Sequence, residues 1–489
     1  MMIGMSDGWE FPDAEPDVAL ERLQEPLSFP ESLRVSTQII EDAVVVIPGI
    51  MGTELVDAES GKLLWGLRPG LLARMWAAPT GNLSPLVVDR EKPSRVRPGR
   101  LLRFPALMPG LGSVEPYTRL IRGLRSVVRH PDAVCEFGYD WRLPVTDNAA
   151  LLAEAITEHL LWWRVRSDRP HARVHLVAHS MGGLLCQALA GISGAYDDVA
   201  QVITLGTPFE GAAKAAVILG TGEGSLVPAR GLRPIAVTMP GIYDLLPTYR
   251  CVDDGTDVRR LTPVDVAGLG GDRGLADEAL DRAERRRSVV MPSHRALIGV
   301  AQPTICSLAV QAGRVEPRFY TFDVGADGEL ARNTEGALVR LPGLGDGTVP
   351  RNSALPWNER DTAPLPQQHG AVAQTDEAIA FVCDRLLHRD TGARLGDGEI
   401  GISAPDTVQV GTEFVVEVTG IDDPYDIGSV VYDAEDGERV DGPQARRHEG
   451  RVVVPVTLWR QGLFRIAVTG GGTSPVTILV LAVISAEDW

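Results

Sequence analysis

Short unbroken apolar runs that stop at turn residues recur through most of the chain. Ala43 to Ile47 (AVVVI) ends at Pro48-Gly49, and Val174 to Ala178 and Gln201 to Leu205 repeat the design. A β-branched run with no polar alternation is what a strand buried on both faces needs, as in a parallel sheet. Between such runs lie segments of helical pattern: Tyr117 to Val128 and Asn148 to Trp163 are amphipathic, and Gly182 to Ala190 has helical composition. Strand, helix and strand in alternation predict an α/β fold, a doubly wound and mainly parallel sheet with helices on both faces.

Two segments interrupt the alternation, about 58–112, rich in Arg, Pro and Leu, and about 211–290, rich in Gly, Pro and charge. Insertions of this size read as a cap or lid that shields a site from water, the alternative being surface decoration. After a helix over Thr375 to Leu387 the pattern changes. A polar stretch, His388 to Glu399, reads as a linker. Beyond it Thr407–Val410, Glu413–Thr419, Ser429–Tyr432, Arg451–Leu458, Leu463–Thr469 and Val476–Ile484 are β-rich runs parted by Gly, Pro and Asp turns. That spacing predicts an immunoglobulin-like β-sandwich. The expected organisation is an N-terminal extension over 1–41, the α/β domain over 42–390, a linker over 391–400 and the sandwich over 401–489.

Charge narrows the function classes. Across 489 residues Asp and Glu outnumber Lys and Arg by 65 to 47, a net charge of −18. Such a surface repels phosphate backbones, so no nucleic acid partner is expected. Peripheral membrane contact stays open, with Arg285-Arg286-Arg287 as the local basic run and a solvated helix face as its alternative reading. The N-terminus has acids where an export signal needs bases, and Val476 to Ser485 is short of the roughly 20 residues that span a bilayer. Five cysteines without C-x-x-C spacing fit reduced thiols, and with them a cytoplasmic location. No metal or cofactor is expected.

The chemistry concentrates at Ala178-His179-Ser180-Met181-Gly182, directly between an apolar strand and a helix. A strained strand-to-helix turn lifts a serine hydroxyl above the sheet, and small residues on either side let strand and helix pass closely. Ser180 is therefore the candidate nucleophile. A serine hydroxyl needs a histidine to take its proton and an acid to orient the imidazole, in the chain order Ser, acid, His. Asp346, flanked by glycines in LGDGTVP, is the candidate acid, with Asp323 and Asp361 as alternatives. His369 in QQHG follows it and precedes the last helix of the α/β domain; His175 and His179 flank the elbow as structural side chains. An oxyanion needs two preorganised amides. Met181 is expected to supply one and Ile50, in the glycine loop Pro48 to Gly52, the other, with Met51 as runner-up. A glycine turn that serves packing alone is the competing reading.

With these residues assembled, the stretch from about Asp42 to Leu387 resembles the lecithin:cholesterol acyltransferase family, which includes lysosomal phospholipase A2 and phospholipid:diacylglycerol acyltransferases. The resemblance rests on IPGIMGTEL from Ile47, YDWR from Tyr139, AHSMGG from Ala178, LGTPFEGAAKA from Leu205, MPGIYDLLP from Met239 and GDGTVP from Gly345. It implies an α/β-hydrolase fold and cleavage of an acyl-lipid ester, with water or an alcohol as acceptor. By it Ser180, Asp346 and His369 match the triad, and Ile50 and Met181 the oxyanion positions. Asp140 and Trp141, with Met51, resemble a substrate-pocket wall, against which a packed ion pair and aromatic is an equal reading. The β-rich tail has no counterpart in the extracellular members. An alternative function is a lipid-sensing or regulatory module whose sandwich contacts a protein partner. Since no candidate site residue lies beyond His369, the tail is expected to place the enzyme, and a chain ending near Asp390 to fold and stay active.

Overall fold

The computed structural model describes residues 39–66, 83–91, 95–102, 117–223, 229–325, 329–355, 362–389, 400–434, 437–470 and 475–484. Nearly all of the expected extension 1–41, much of the first insertion, the linker over 391–399 and the alternative acid Asp361 lie outside them.

The central sheet has six strands: β1 (Ala43–Ile47), β2 (Val134–Glu136), β3 (Val174–His179), β4 (Val199–Leu205), β5 (Arg295–Gly299) and β6 (Thr362–Leu365), in the order β6-β5-β4-β3-β1-β2. Every pairing is parallel. All five residues of β1 and all six of β3 are buried, as the unbroken apolar runs predict. Helices α1 (Thr118–Val127), α2 (Val145–Ser167), α3 (Met181–Ala188) and α4 (Asp376–Leu386) cover the sheet. α2 buries Asn148, Leu152, Ile156, Leu160 and Trp163, one helical face at steps of three and four. Thr375 caps α4, its hydroxyl accepting the Ala378 amide at 3.2 Å.

The second insertion is a structured layer. It contains helices Ala213–Thr221, Ala229–Ala236, Pro263–Gly268 and Arg273–Arg286, and a hairpin, Arg250–Asp253 with Val258–Arg260, that joins a four-stranded sheet. The basic run departs from a uniformly solvated helix face. Arg286 turns inward and is buried, while Arg285 is exposed and Arg287 lies between, 3.6 Å from Glu210.

The C-terminal region is a β-sandwich. One sheet runs β7 (Gly401–Ser403), β9 (Glu413–Thr419), β13 (Arg451–Thr457), β12 (Arg446–His448); the other runs β8 (Thr407–Gln409), β15 (Val476–Val483), β14 (Gly462–Thr469), β10 (Gly428–Asp433), β11 (Arg439–Asp441). Val416, Val431, Val454, Phe464, Ile466 and Val480 fill its core. β7, β11 and β12 are absent from the sequence reading because they are three-residue pieces, two of them wholly exposed, with no apolar alternation to mark them. Residues Ile40 to Trp489 form one compact unit. The sandwich touches the α/β domain closely, so that a Cβ placed on Gly401 would lie 2.2 Å from the Ala301 carbonyl oxygen.

Candidate active site

Ser180 sits in the turn between β3 and α3 with φ 53° and ψ −128°, a conformation that L-residues rarely adopt. Its surroundings hold it there. The Ser180 amide donates to the Leu205 carbonyl at 2.8 Å, and its own carbonyl accepts from the Thr207 hydroxyl and the Gly183 amide, each at 3.0 Å. The small residues after it are required by contact. A Cβ on Gly182 would lie 2.6 Å from the Pro48 carbonyl oxygen, and one on Gly183 would lie 2.1 Å from Thr207 Oγ1.

Asp346 follows a two-residue strand, Leu344–Gly345, and is 1% exposed. One carboxylate oxygen accepts the amides of Thr348 and Val349 at 3.0 and 2.6 Å, the Asx-type turn that its glycine neighbours permit. The other lies 2.7 Å from His369 Nδ1. His369 Nε2 lies 2.9 Å from Ser180 Oγ, and its amide donates to the Asp346 carbonyl at 2.7 Å. Ser180, His369 and Asp346, chosen from distant segments, thus form a continuous hydrogen-bonded line. Asp323 lies in a hairpin, its amide bonded to Val339, and it is Asp346 that meets the imidazole.

The glycine loop after β1 lies against the serine: a Cβ on Gly49 would stand 2.7 Å from Ser180 Cβ and 3.3 Å from its Oγ. Within that loop Met51 has φ 62°, and its carbonyl accepts from Trp65 Nε1 at 2.9 Å. Ile50 and Met51 are half-buried, and Met181 is buried at the start of α3. The Asp140 and Trp141 side chains are closed in on protein. Asp140 holds Arg142 at 2.9 and 2.6 Å, Arg142 also donates to the Leu86 carbonyl, and Trp141 donates to the Thr53 carbonyl and meets Trp65 edge-on at 5.5 Å.

Two residues of the site carry no chemical role in the sequence reading. The Tyr117 hydroxyl accepts the Gly49 amide at 2.9 Å and lies 3.0 Å from His179 Nδ1, while His179 Nε2 lies 3.2 Å from the His369 carbonyl. They connect the glycine loop to the histidine loop behind the serine. Burial, and after it repulsion from His369, pulls the His179 pKa down to about 3. Among the described residues, no group of three His, Cys, Asp or Glu side chains is placed to hold a metal ion, and no helix is long and apolar enough to cross a membrane.

The family description "PGAP1-like alpha/beta domain" matches residues 144–217, the stretch carrying α2, β3, α3 and β4. No curated protein sequence matches the chain significantly. Among solved structures it is similar to the crystal structure of the Tle4–Tli4 complex, at 15% identity over 72% of this chain and 99% of that one, with a TM-score of 0.49. It is also similar to the lipase BlEst2 of Bacillus licheniformis in pro-peptide form, at 11% identity over 91% and 94%, TM-score 0.36. A third is the lin2722 product of Listeria innocua, at 12% identity over 73% and 97%, TM-score 0.28. At these scores none of them bears on substrate or chemistry. A serine raised on a strained turn between a central parallel strand and a buried helix is the arrangement on which α/β-hydrolases are built, and with the matched domain spanning that unit the chain takes its place among proteins of α/β-hydrolase fold.

Proposed function

We propose that the chain is a serine esterase of acyl lipids, working through an acyl-enzyme on Ser180. The observation that carries this reading is the line from Ser180 Oγ to His369 Nε2 at 2.9 Å and from His369 Nδ1 to Asp346 at 2.7 Å. Asp346 fixes the tautomer with the proton on Nδ1, leaving Nε2 free to accept the serine proton. Oγ attacks the ester carbonyl, Nε2 takes its proton, and the carbonyl oxygen becomes an oxyanion facing the amides of Met181 and Ile50. Collapse expels the alcohol, which leaves with the proton from His369. Water or a second alcohol, deprotonated by the same nitrogen, then releases the acyl group.

The lipid substrate and the likeness to lecithin:cholesterol acyltransferases are the finer part of the proposal, supported by the motifs from Ile47 to Pro350. The second insertion supports it too: a Cβ on Gly241 would lie 3.1 Å from the Met181 methyl carbon, so this layer packs on the residue after the nucleophile. A pocket under such a layer gains about 0.8 kcal/mol per buried methylene, which favours octanoate over acetate.

The test is labelling by a fluorophosphonate and turnover of p-nitrophenyl octanoate and acetate. Wild-type protein labels and prefers octanoate; Ser180→Ala does neither; Asp346→Asn folds, with kcat down by about 10⁴, as in the analogous protease case. Full activity in folded Ser180→Ala would sink the assignment. A wild-type protein that never labels would turn the reading toward a lipid-sensing module.

A further inference from the structure

His369 is preceded by two glutamines, and both reach into the C-terminal sandwich. Gln367, 1% exposed, donates from Nε2 to the Pro475 carbonyl at 3.0 Å and accepts the Thr477 amide at 3.1 Å. Gln368 donates to the Ile402 carbonyl at 2.6 Å and to Gln302 Oε1 at 3.2 Å. Gln302, at 0% exposure, accepts the Ile402 amide at 2.9 Å and donates to the Ile400 carbonyl at 3.0 Å. Every amide orientation here is dictated by a backbone partner that can only donate or only accept.

The same glutamine stands beside the acid. Gln302 pairs with Gly345 and bridges to Asp346, and its carbonyl accepts from the Thr304 hydroxyl, which in turn accepts the Gly347 amide at 2.9 Å. The loops carrying Asp346 and His369 are therefore tied to one another and to β7 and β15. Solid packing does not do this work on the outer side of the loop. There a cavity of about 300 Å³ opens beside His369, lined also by Ile402, Ile478 and Leu479 of the sandwich. A buried carboxamide left without its partner costs about 1–3 kcal/mol, so with the sandwich seated these bonds favour one position of the loop.

We propose that the sandwich belongs to the catalytic apparatus: through Gln302, Gln367 and Gln368 it positions His369 between Ser180 and Asp346. The inference rests on the serine-hydrolase reading above and adds to it that the glutamines act through the histidine, as positioning residues. An ångström of misplacement at a reacting group costs on the order of 100-fold.

The experiment uses the full chain with Gln367→Leu, Gln368→Leu and Gly401→Val. The last changes nothing in the histidine loop; its side chain would collide with the Ala301 carbonyl and with Thr419 Oγ1, and is expected to lift β7 from the α/β domain. For folded variants the expected result is a fall in kcat and in the fluorophosphonate labelling rate, on the order of 100-fold, with KM close to wild type. The downfield proton resonance of the His369–Asp346 hydrogen bond, present in wild type, weakens or moves in each variant. If the leucine variants do not fold, Gly401→Val decides. Folded variants with wild-type kcat and an unmoved resonance overturn the proposal, as does a KM effect without a kcat effect. Failure of wild-type protein to label at Ser180 counts against the hydrolase reading itself; labelling in wild type with equally fast variants counts against the positioning role alone.

Discussion

The His369 carbonyl, 3.2 Å from His179 Nε2, can only accept, so the neutral imidazole carries its proton on Nε2. Nδ1 is then the acceptor and takes the hydroxyl proton of Tyr117, whose oxygen also accepts the Gly49 amide. A second proton, on Nδ1, would displace that hydroxyl proton, and burial holds the pKa down at about 3 against an ordinary value of 6.5. The unfolded chain takes up that proton as pH falls below about 6.5 and the folded one does not. Stability from a neutral His179 is therefore complete above that pH and is lost toward pH 3, by up to about 1.4 kcal/mol per unit. His179→Asn is expected to unfold in urea with a stability that falls less steeply between pH 6 and 4, by about one proton. His294, drawn down to about 4 by burial, titrates in both proteins and cancels. Equal slopes would mean that His179 is protonated within the fold. The sequence reading treats His179 as a structural neighbour of Ser180; its partner Tyr117 lies 62 positions away, and nothing local joins them.

The elbow is the element most legible in the sequence, because the strand, the turn and the helix are contiguous and each states its needs locally. Gly182 is small for a reason the contacts make concrete. On Gly182 a Cβ would meet the backbone oxygens of Pro48 and Ile47 at 2.6 and 2.7 Å, and neither can swing aside. Gly182→Ala is thus expected to pry α3 from the end of β1, destabilising by about 1–3 kcal/mol, the usual overpacking cost. The loop that begins at those carbonyls is the one proposed to hold the oxyanion, so kcat is expected to fall with it. Thermal melting and ester turnover of the purified variant check both; an unchanged melting temperature would mean that the turn is looser than its contacts. Legibility stops where an element has no pattern. β7 is three residues long, and the insertion's helices alternate with hairpin strands, so composition marks only an interruption there.

At the scale of the molecule, the relation between sandwich and α/β domain could not be read from the chain. A polar stretch over 388–399 and a change of periodicity suggest an appendage that can be cut away. The contacts run the other way: the bonds that cross are made by carboxamides to backbone groups of β7 and to Pro475 and Thr477, and backbone groups leave no trace in composition. A chain ending at Asp390 would open Gln302 and Gln367, at 0% and 1% exposure, to water on the side where the sandwich now sits. Its parallel sheet and the hydrogen-bonded line from Ser180 lie wholly within the retained residues, so the fold has what it needs to form. The loop from Gln367 to Gln374, by contrast, would keep the Asp346 carbonyl, His179, Arg119 and its own turns as anchors, with the sandwich bonds gone. The expected outcome is a folded but less stable protein, melting a few degrees lower as the crossing hydrogen bonds, each worth about 0.5–1.5 kcal/mol net, are exchanged for bonds to water. Its turnover of a short soluble ester should fall on the order of 100-fold while KM changes little. Melting curves and p-nitrophenyl ester kinetics on residues 1–390 beside the full chain make the comparison. Turnover equal to that of the full chain would return the sandwich to the role of placing the enzyme, and reduced turnover with an unaltered melting curve would isolate positioning from stability.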